Sequence, residues 1–176
     1  MSLIAEYGIS VRPDRGLVEV YDPDAYLGSD EAYYRSRTQV VAGDGYHLYL
    51  QTSQPDIAVQ VVIRVWDTTQ KLPEEAEGTV PVSLESETGL LVVNQLSFGP
   101  AGEMVLPRPG VYDGHATWSG REATAAYYNT CLQRAAEEQW DAGQIGAAWR
   151  QRPTVEQYTL DLWFVREPEP EGEWDE

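Results

Sequence analysis

The run IAVQVVIRVWD, residues 57–67, sets the strongest limit on what this chain can become. It is the most apolar segment of the sequence and reads as a central β-strand. Its neighbours follow the same grammar, short strand-like runs with turn residues at close intervals and no βαβ rhythm. YGISVRP (7–13) and GLVEVYD (16–22) flank the turn DRG and read as a hairpin. TQVVAGDGYHLYLQTS reads as two strands about Gly43–Asp44–Gly45, with His47 and Tyr49 on one face and Leu48 and Leu50 on the other. TVPVSLES (79–86) and GLLVVNQLSF (89–98) read as another hairpin joined at ETG, and GEMVLPRPGVYDGHATWSG as two strands about a Pro-Gly corner. EQYTLDLWFV (156–165) alternates so that Tyr158, Leu160, Leu162 and Phe164 share a face, and it reads as a closing strand. The expectation is a mostly β protein, an antiparallel β-sandwich of about 8–9 strands.

One segment breaks the pattern. Residues 121–149 are rich in alanine and free of proline, and Ala125, Tyr128, Leu132, Ala135 and Gln139 fall on one helical stripe. They predict one inserted α-helix of about four turns, with Gly143 and Gly146 weakening its continuation. DPDAYLGSDEAYYRSR reads as a loop with one helical turn near 30–35. A single sandwich domain over 4–166 is expected, followed by a disordered acidic tail at 167–176.

Charge then narrows the functional classes. The net charge is −17, and without the tail EPEPEGEWDE the other 166 residues still carry −11. Direct contact with nucleic acid or an anionic membrane needs clustered Lys and Arg, which this chain lacks. A basic protein partner fits, because opposite fields speed encounter. No run approaches the ~20 apolar residues of a membrane span, and no signal peptide opens the patterned sequence, so a cytoplasmic location is expected. A lone cysteine, Cys131, forms no internal disulfide and rules out a cysteine-based zinc site. Eleven arginines against one lysine, Lys71, fit the codon bias of a GC-rich bacterial genome.

Candidate chemistry is sparse. In YDGHATW, Asp113 and His115 point to the same side of a strand, and such a pair can orient an imidazole as a general base. No G-x-S-x-G elbow supplies a nucleophile, and Ser119 has no motif spacing, so His115 is expected to be an outward polar residue partnered by Asp113. Tyr112 is expected to pack at the corner before it, as corner tyrosines do in other sandwiches. His47 and His115 alone make no zinc set, and DPDAYLGSDE lacks the EF-hand register. DAGQIGAAW holds only G-x-x-G and is no phosphate loop. No catalytic, metal or cofactor residue is therefore assigned. The acidic break DTTQKLPEEAEG is the one partner-binding candidate: Asp67, Glu74, Glu75 and Glu77 lie on one connection and could mimic phosphates to a basic cleft. Trp66 and Trp118 read as core or rim residues, and Trp174 in the tail as a docking residue. Two other classes remain open. One is a small-ligand or hydrolytic site between sandwich and helix, lined by Tyr127, Tyr128, Trp140 and Trp149; the other is a module that self-associates through an open sheet edge.

GYHLYLQTS, IAVQVVIRVW, GTVPVSLESETGLLVV, the strand ending in LPRPGVY, a TW strand and YTLDLWFV follow one another in an order that resembles the competence protein J family of small bacterial proteins. The opening ISVRPDRGLVEVYD fits that family's first strands, and the resemblance covers roughly two thirds of the chain. It implies a β-sandwich and inhibition of the nuclease through which DNA enters the cell, with a basic nuclease as partner. The segment 121–149 and the acidic tail stand outside it, and it carries no site residue over.

Overall fold

Strand-forming runs condense in the computed structural model, which describes residues 2–25 and 27–168, into ten strands and three α-helices. In chain order these are β1 (Leu3–Val11), β2 (Leu17–Tyr21), α1 (Asp30–Gln39), β3 (Val41–Gly43), β4 (His47–Gln51), β5 (Val59–Trp66), β6 (Gly78–Ser86), β7 (Leu90–Asn94), β8 (Pro100–Val105), β9 (Gly110–Ser119), α2 (Arg121–Glu138), α3 (Ala142–Arg150) and β10 (Gln157–Arg166). They form two five-stranded sheets, ordered β1-β5-β10-β9-β6 and β3-β4-β2-β7-β8. The inward faces of both sheets share one apolar core: Val61, Ile63, Tyr112, Leu160 and Leu162 from the first meet Val18, Val20, Leu48, Leu50, Leu91 and Val93 from the second. The acidic tail from residue 169 onward, with Trp174, lies outside the described residues. Among the described residues no helix is long and apolar enough to cross a membrane.

The expected central strand is central. β5 buries Val59, Val61, Ile63 and Val65 and turns Gln60, Val62, Arg64 and Trp66 outward, and it lies between β1 and β10. The expected hairpin of β3 and β4 also forms, with Val41 opposite Leu50 and Gly43 opposite Leu48. Two other expected hairpins do not. β1 pairs with β5 and β2 with β4 and β7; β6 pairs with β9 and β7 with β2 and β8; β8 and β9 also sit in different sheets. The turn residues reverse the chain as their chemistry requires, but each reversal crosses from one layer to the other. At the first, Arg15 and Gly16 take positive φ values of 55° and 78°, and Asp14 and Leu17 exchange backbone hydrogen bonds of 3.2 and 3.0 Å.

The antiparallel expectation needs one correction. β10 is antiparallel to β9 but parallel to β5, with Tyr158 opposite Val61 and Leu160 opposite Ile63. β5 and β9 run in opposite directions, so any strand inserted between them is parallel to one of the two. β10 does not close the sheet; it fills its centre.

The helical expectations also shift. α1 runs for ten residues rather than one turn, started by Ser29, whose hydroxyl accepts the Ala32 N–H at 3.2 Å. The insert is two helices. α2 ends at Gln139 in the left-handed region (φ 53°), and α3 restarts on a capping box, with the Gln144 N–H donating to Asp141 Oδ1 at 2.8 Å and the Asp141 N–H to Gln144 Oε1 at 2.9 Å. The inward stripe of α2 runs through Thr124, Tyr128, Cys131 and Ala135, and Leu132 points to solvent. A buried polar knot anchors the insert. The fully buried Glu156 accepts the Ser53 N–H (2.8 Å), the Ser53 hydroxyl (2.7 Å), Gln54 Nε2 (3.3 Å) and the Tyr158 hydroxyl, to which Arg121 Nε donates at 3.0 Å. Burial, reinforced by Glu156, pushes the Tyr158 phenol above its ordinary range.

Candidate acidic interface

β6 is an edge strand with acidic residues at both ends, Glu77 and Glu85, about 26 Å apart at ~3.3 Å per residue. The connection that leads into it carries the four carboxylates singled out from the sequence, and the structure divides them into two pairs. Asp67 Oδ1 accepts the Ser2 N–H at 2.8 Å, and that bond is the chief reason its carboxyl is held below the ordinary value. Glu77 Oε1 accepts the Gly120 N–H at 2.6 Å. Asp67 and Glu77 thus tie the two ends of the connection, one to the start of β1 and one to the start of α2. Glu74 and Glu75 lie exposed between them.

The connection folds over the outward face of the first sheet, where it lines recesses of about 190 and 250 Å³ together with residues of β5, β6, β9 and β10. His115 lies on this face. It faces outward as expected, but it is covered, 4% exposed, and its partner is not Asp113: its Nε2 lies 3.6 Å from Oδ2 of Asp161, the residue opposite it in the register. Trp163 meets its ring edge-on at 5.8 Å, and Asp161 Oδ1 accepts the Trp66 indole N–H at 2.8 Å. The pairing crosses strands, so a reading of neighbours along the chain picks the wrong acid. Tyr112, on the inward face, does sit at the corner, and its hydroxyl donates to the Arg108 carbonyl at 2.6 Å.

The other end of β6 holds a groove that sequence reasoning missed. A concavity of about 330 Å³ is lined by Asp22, Asp24, Ala25, Leu27, Tyr46, Glu85 and Glu87. Its acids come from the end of β2 and the end of β6, two segments that meet only because the layers stack. Asp22 is buried and organises the site. It accepts the Ser86 hydroxyl (2.6 Å), the Thr88 hydroxyl (2.7 Å), the Thr88 N–H (3.0 Å) and the Asp24 N–H (2.8 Å). Burial opposes its ionisation, but these bonds outweigh burial and hold its carboxyl below the ordinary value. Nearby, His47 is buried with Nδ1 3.5 Å from Glu19 and Nε2 bonded to the Ala25 carbonyl, stacked on Tyr21 at 4.5 Å between centroids. Burial disfavours its protonation, yet Glu19, the Ala25 carbonyl and Asp44 together raise its pKa above the ordinary value. Among the described residues no three His, Cys, Asp or Glu side chains converge to hold a metal ion.

The aromatic cluster of the insert divides as well. A recess of about 290 Å³ lies between α2 and α3, lined by Tyr127, Cys131, Arg134 and Trp140 among others, with the Tyr127 hydroxyl donating to the Ala148 carbonyl at 2.7 Å. Tyr128 and Trp149 stack on each other at 5.0 Å instead. The Tyr128 hydroxyl donates to Asp56 Oδ2 at 2.7 Å, and burial together with Asp56 pushes its pKa up to about 12.

Two stacked five-stranded sheets, one mixed and one antiparallel, with a helical pair packed alongside, define a β-sandwich protein whose acidic residues flank an edge strand. Its structure is similar to that of ComJ, inhibitor of the DNA degrading activity of NucA, from Bacillus subtilis, with a TM-score of 0.58 and 10% identity over 93% of this chain and 98% of that one. It is also similar to the crocagin biosynthetic gene J protein, with a TM-score of 0.51 and 17% identity over 93% of this chain and all of the other. No protein-family model matches the sequence, and no curated protein matches it significantly. The likeness is therefore one of fold, and it agrees with the resemblance in strand order.

Proposed function

We propose that this chain is a non-enzymatic inhibitor of a DNA-degrading nuclease, an acidic binding protein whose carboxylates enter the basic cleft that otherwise takes nucleic acid. The observation that carries this reading is the likeness in fold, across nearly the whole of both chains, to an inhibitor of DNA degradation. The net charge of −17 agrees with it, since a chain so acidic is repelled by DNA and attracted by a protein that binds DNA. In this mechanism Glu74 and Glu75 meet the nuclease, while Asp67 and Glu77 fix the ends of the connection that presents them. The groove around Asp22 supplies a second anionic patch whose buried charge is already oriented, so binding spends little on ordering it.

The test is a pull-down from the native lysate at low and high salt, followed by a DNA-hydrolysis assay on the recovered protein. A basic nuclease held at low salt, released at high salt and inhibited by the purified chain is the expected result. Recovery of no nuclease at low salt would refute the reading.

A further inference from the structure

His47 opens β4 on the outward face of the second sheet, yet it is shut off from water, 2% exposed. Its ring stacks on Tyr21 and lies near-parallel to Tyr49, 6.1 Å away. The two ring nitrogens face acceptors. Nε2 bonds the Ala25 carbonyl, and Nδ1 has no hydrogen-bond partner, with Glu19 Oε2 3.5 Å from it. The charged groups around the ring are acids as well: Glu19 from β2, Asp44 from the β3–β4 turn and, beside Tyr49, Asp30 from α1. Arg35 of α1 is engaged by the Gly43 carbonyl at 2.8 Å.

A neutral imidazole carries one N–H and one lone pair, so it serves one of these two acceptors and turns a lone pair on the other. The imidazolium donates to both. When one proton leaves, the carboxylate is the stronger acceptor and draws the remaining proton to Nδ1. Nε2 then sets a lone pair against the Ala25 carbonyl.

Ala25 closes the turn that follows β2. Its N–H donates to the Asp22 carbonyl at 2.8 Å, and the Asp24 N–H donates to Asp22 Oδ1 at 2.8 Å. Asp22, Asp24 and Ala25 all line the acidic groove, so the bond from His47 ties one wall of that groove to the sheet.

We propose that His47 is a proton-operated latch on the acidic groove: as the imidazolium it holds the Asp22–Ala25 turn against the sheet, and as the neutral ring it lets the turn go. This inference rests on the inhibitor reading above and names the regulation of its second patch. A basic partner binds the groove best while the latch is closed, because the wall is then already ordered. Burial opposes the proton, but Glu19, the Ala25 carbonyl and Asp44 outweigh it, so the latch is closed below the ordinary 6.5 and opens as pH rises through the higher folded value.

The experiment uses the free full-length chain, labelled with ¹⁵N, from about pH 6 to about pH 9. Ring nitrogen shifts, assigned with His47→Gln, follow the proton and name the tautomer left behind. Hydrogen exchange at the Asp24 and Ala25 amides, corrected for its intrinsic pH dependence, follows the turn. We expect protection of both amides to fall about tenfold as His47 loses its proton, with the remaining proton on Nδ1 and the β5 amides unaffected. Glu19→Gln tests the cause: its carboxamide donates to Nδ1, so the neutral ring keeps its proton on Nε2 and the turn stays protected. No step in the native chain, a neutral ring there protonated on Nε2, or an undiminished step in Glu19→Gln overturns the proposal. Where Glu19→Gln does not fold, the step and the tautomer of the native chain decide alone. Because no partner is present, an absent step beside intact nuclease inhibition sinks this inference alone, and a clear step beside absent inhibition sinks only the functional reading.

Discussion

Asp22→Asn probes the buried anion that shapes the groove. The carboxylate accepts four hydrogen bonds, from the Ser86 and Thr88 hydroxyls and the Thr88 and Asp24 N–H groups. Asparagine has the same shape; its single oxygen best takes the place of Oδ2, where the two hydroxyls and the Thr88 N–H converge, and its NH₂ group then confronts the Asp24 N–H. The Ser86 hydroxyl has an alternative acceptor in the Leu90 carbonyl, 3.1 Å away, so part of the loss is recovered. Losing the Asp24 bond to a charged acceptor costs about 1.5 kcal/mol and losing the charge assistance of the other three about 0.5 kcal/mol each, about 3 kcal/mol in all. For a chain of this size that lowers Tm by roughly 6–12 °C. The pH dependence is signed. Folding lowers this carboxyl below its ordinary 3.8, so its contribution is complete above that value and is lost as pH falls through the folded one. The gap between wild type and Asp22→Asn, read by urea denaturation, is therefore full at neutral pH and narrows below about pH 4. A cost under about 1 kcal/mol at neutral pH, or a gap that does not narrow in acid, would show that Asp22 does not organise the groove as an anion.

Further outcomes follow from other sites. Tyr112→Phe removes the corner bond to the Arg108 carbonyl and should cost about 1 kcal/mol by chemical denaturation, with the spectrum of the fold unchanged. His47 has a raised pKa in the folded state, so its contribution is complete below the ordinary 6.5 and fades as pH rises through the higher folded value; His47→Gln should remove that component from a stability–pH profile. Glu156→Gln disturbs the knot beneath the helical pair and should cost about 3 kcal/mol, with faster proteolysis within 121–150 than elsewhere.

The parts of this fold that were legible in the sequence are those in which neighbours along the chain decide the outcome. Alternation marked β5 and β10, Gly43–Asp44–Gly45 marked the β3–β4 hairpin, and the Pro-Gly corner placed Tyr112. Layer assignment was not legible, because a turn residue specifies that the chain reverses and says nothing about which sheet receives the next strand. Asp-x-x-Gln at 141–144 did carry the signal for a second helix, whereas the break before it falls at Gln139, a residue with no intrinsic preference for positive φ. The candidate site divided the same way. The acids of 67–77 stand on one connection and could be read directly; Asp22 with Glu85 and Glu87, and His115 with Asp161, meet only through strand pairing and stacking.

The most direct measurement for the account as a whole is the rate of DNA hydrolysis by the recovered nuclease as this chain is titrated in, compared with a chain carrying Glu74→Lys and Glu75→Lys. Both substitutions are on exposed residues and should change stability by no more than about 0.5 kcal/mol. The account predicts stoichiometric inhibition by the native chain that weakens with salt, and association at least about tenfold slower for the charge-reversed chain. Undiminished inhibition by the charge-reversed chain, or DNA hydrolysis unaffected by the native one, would contradict it.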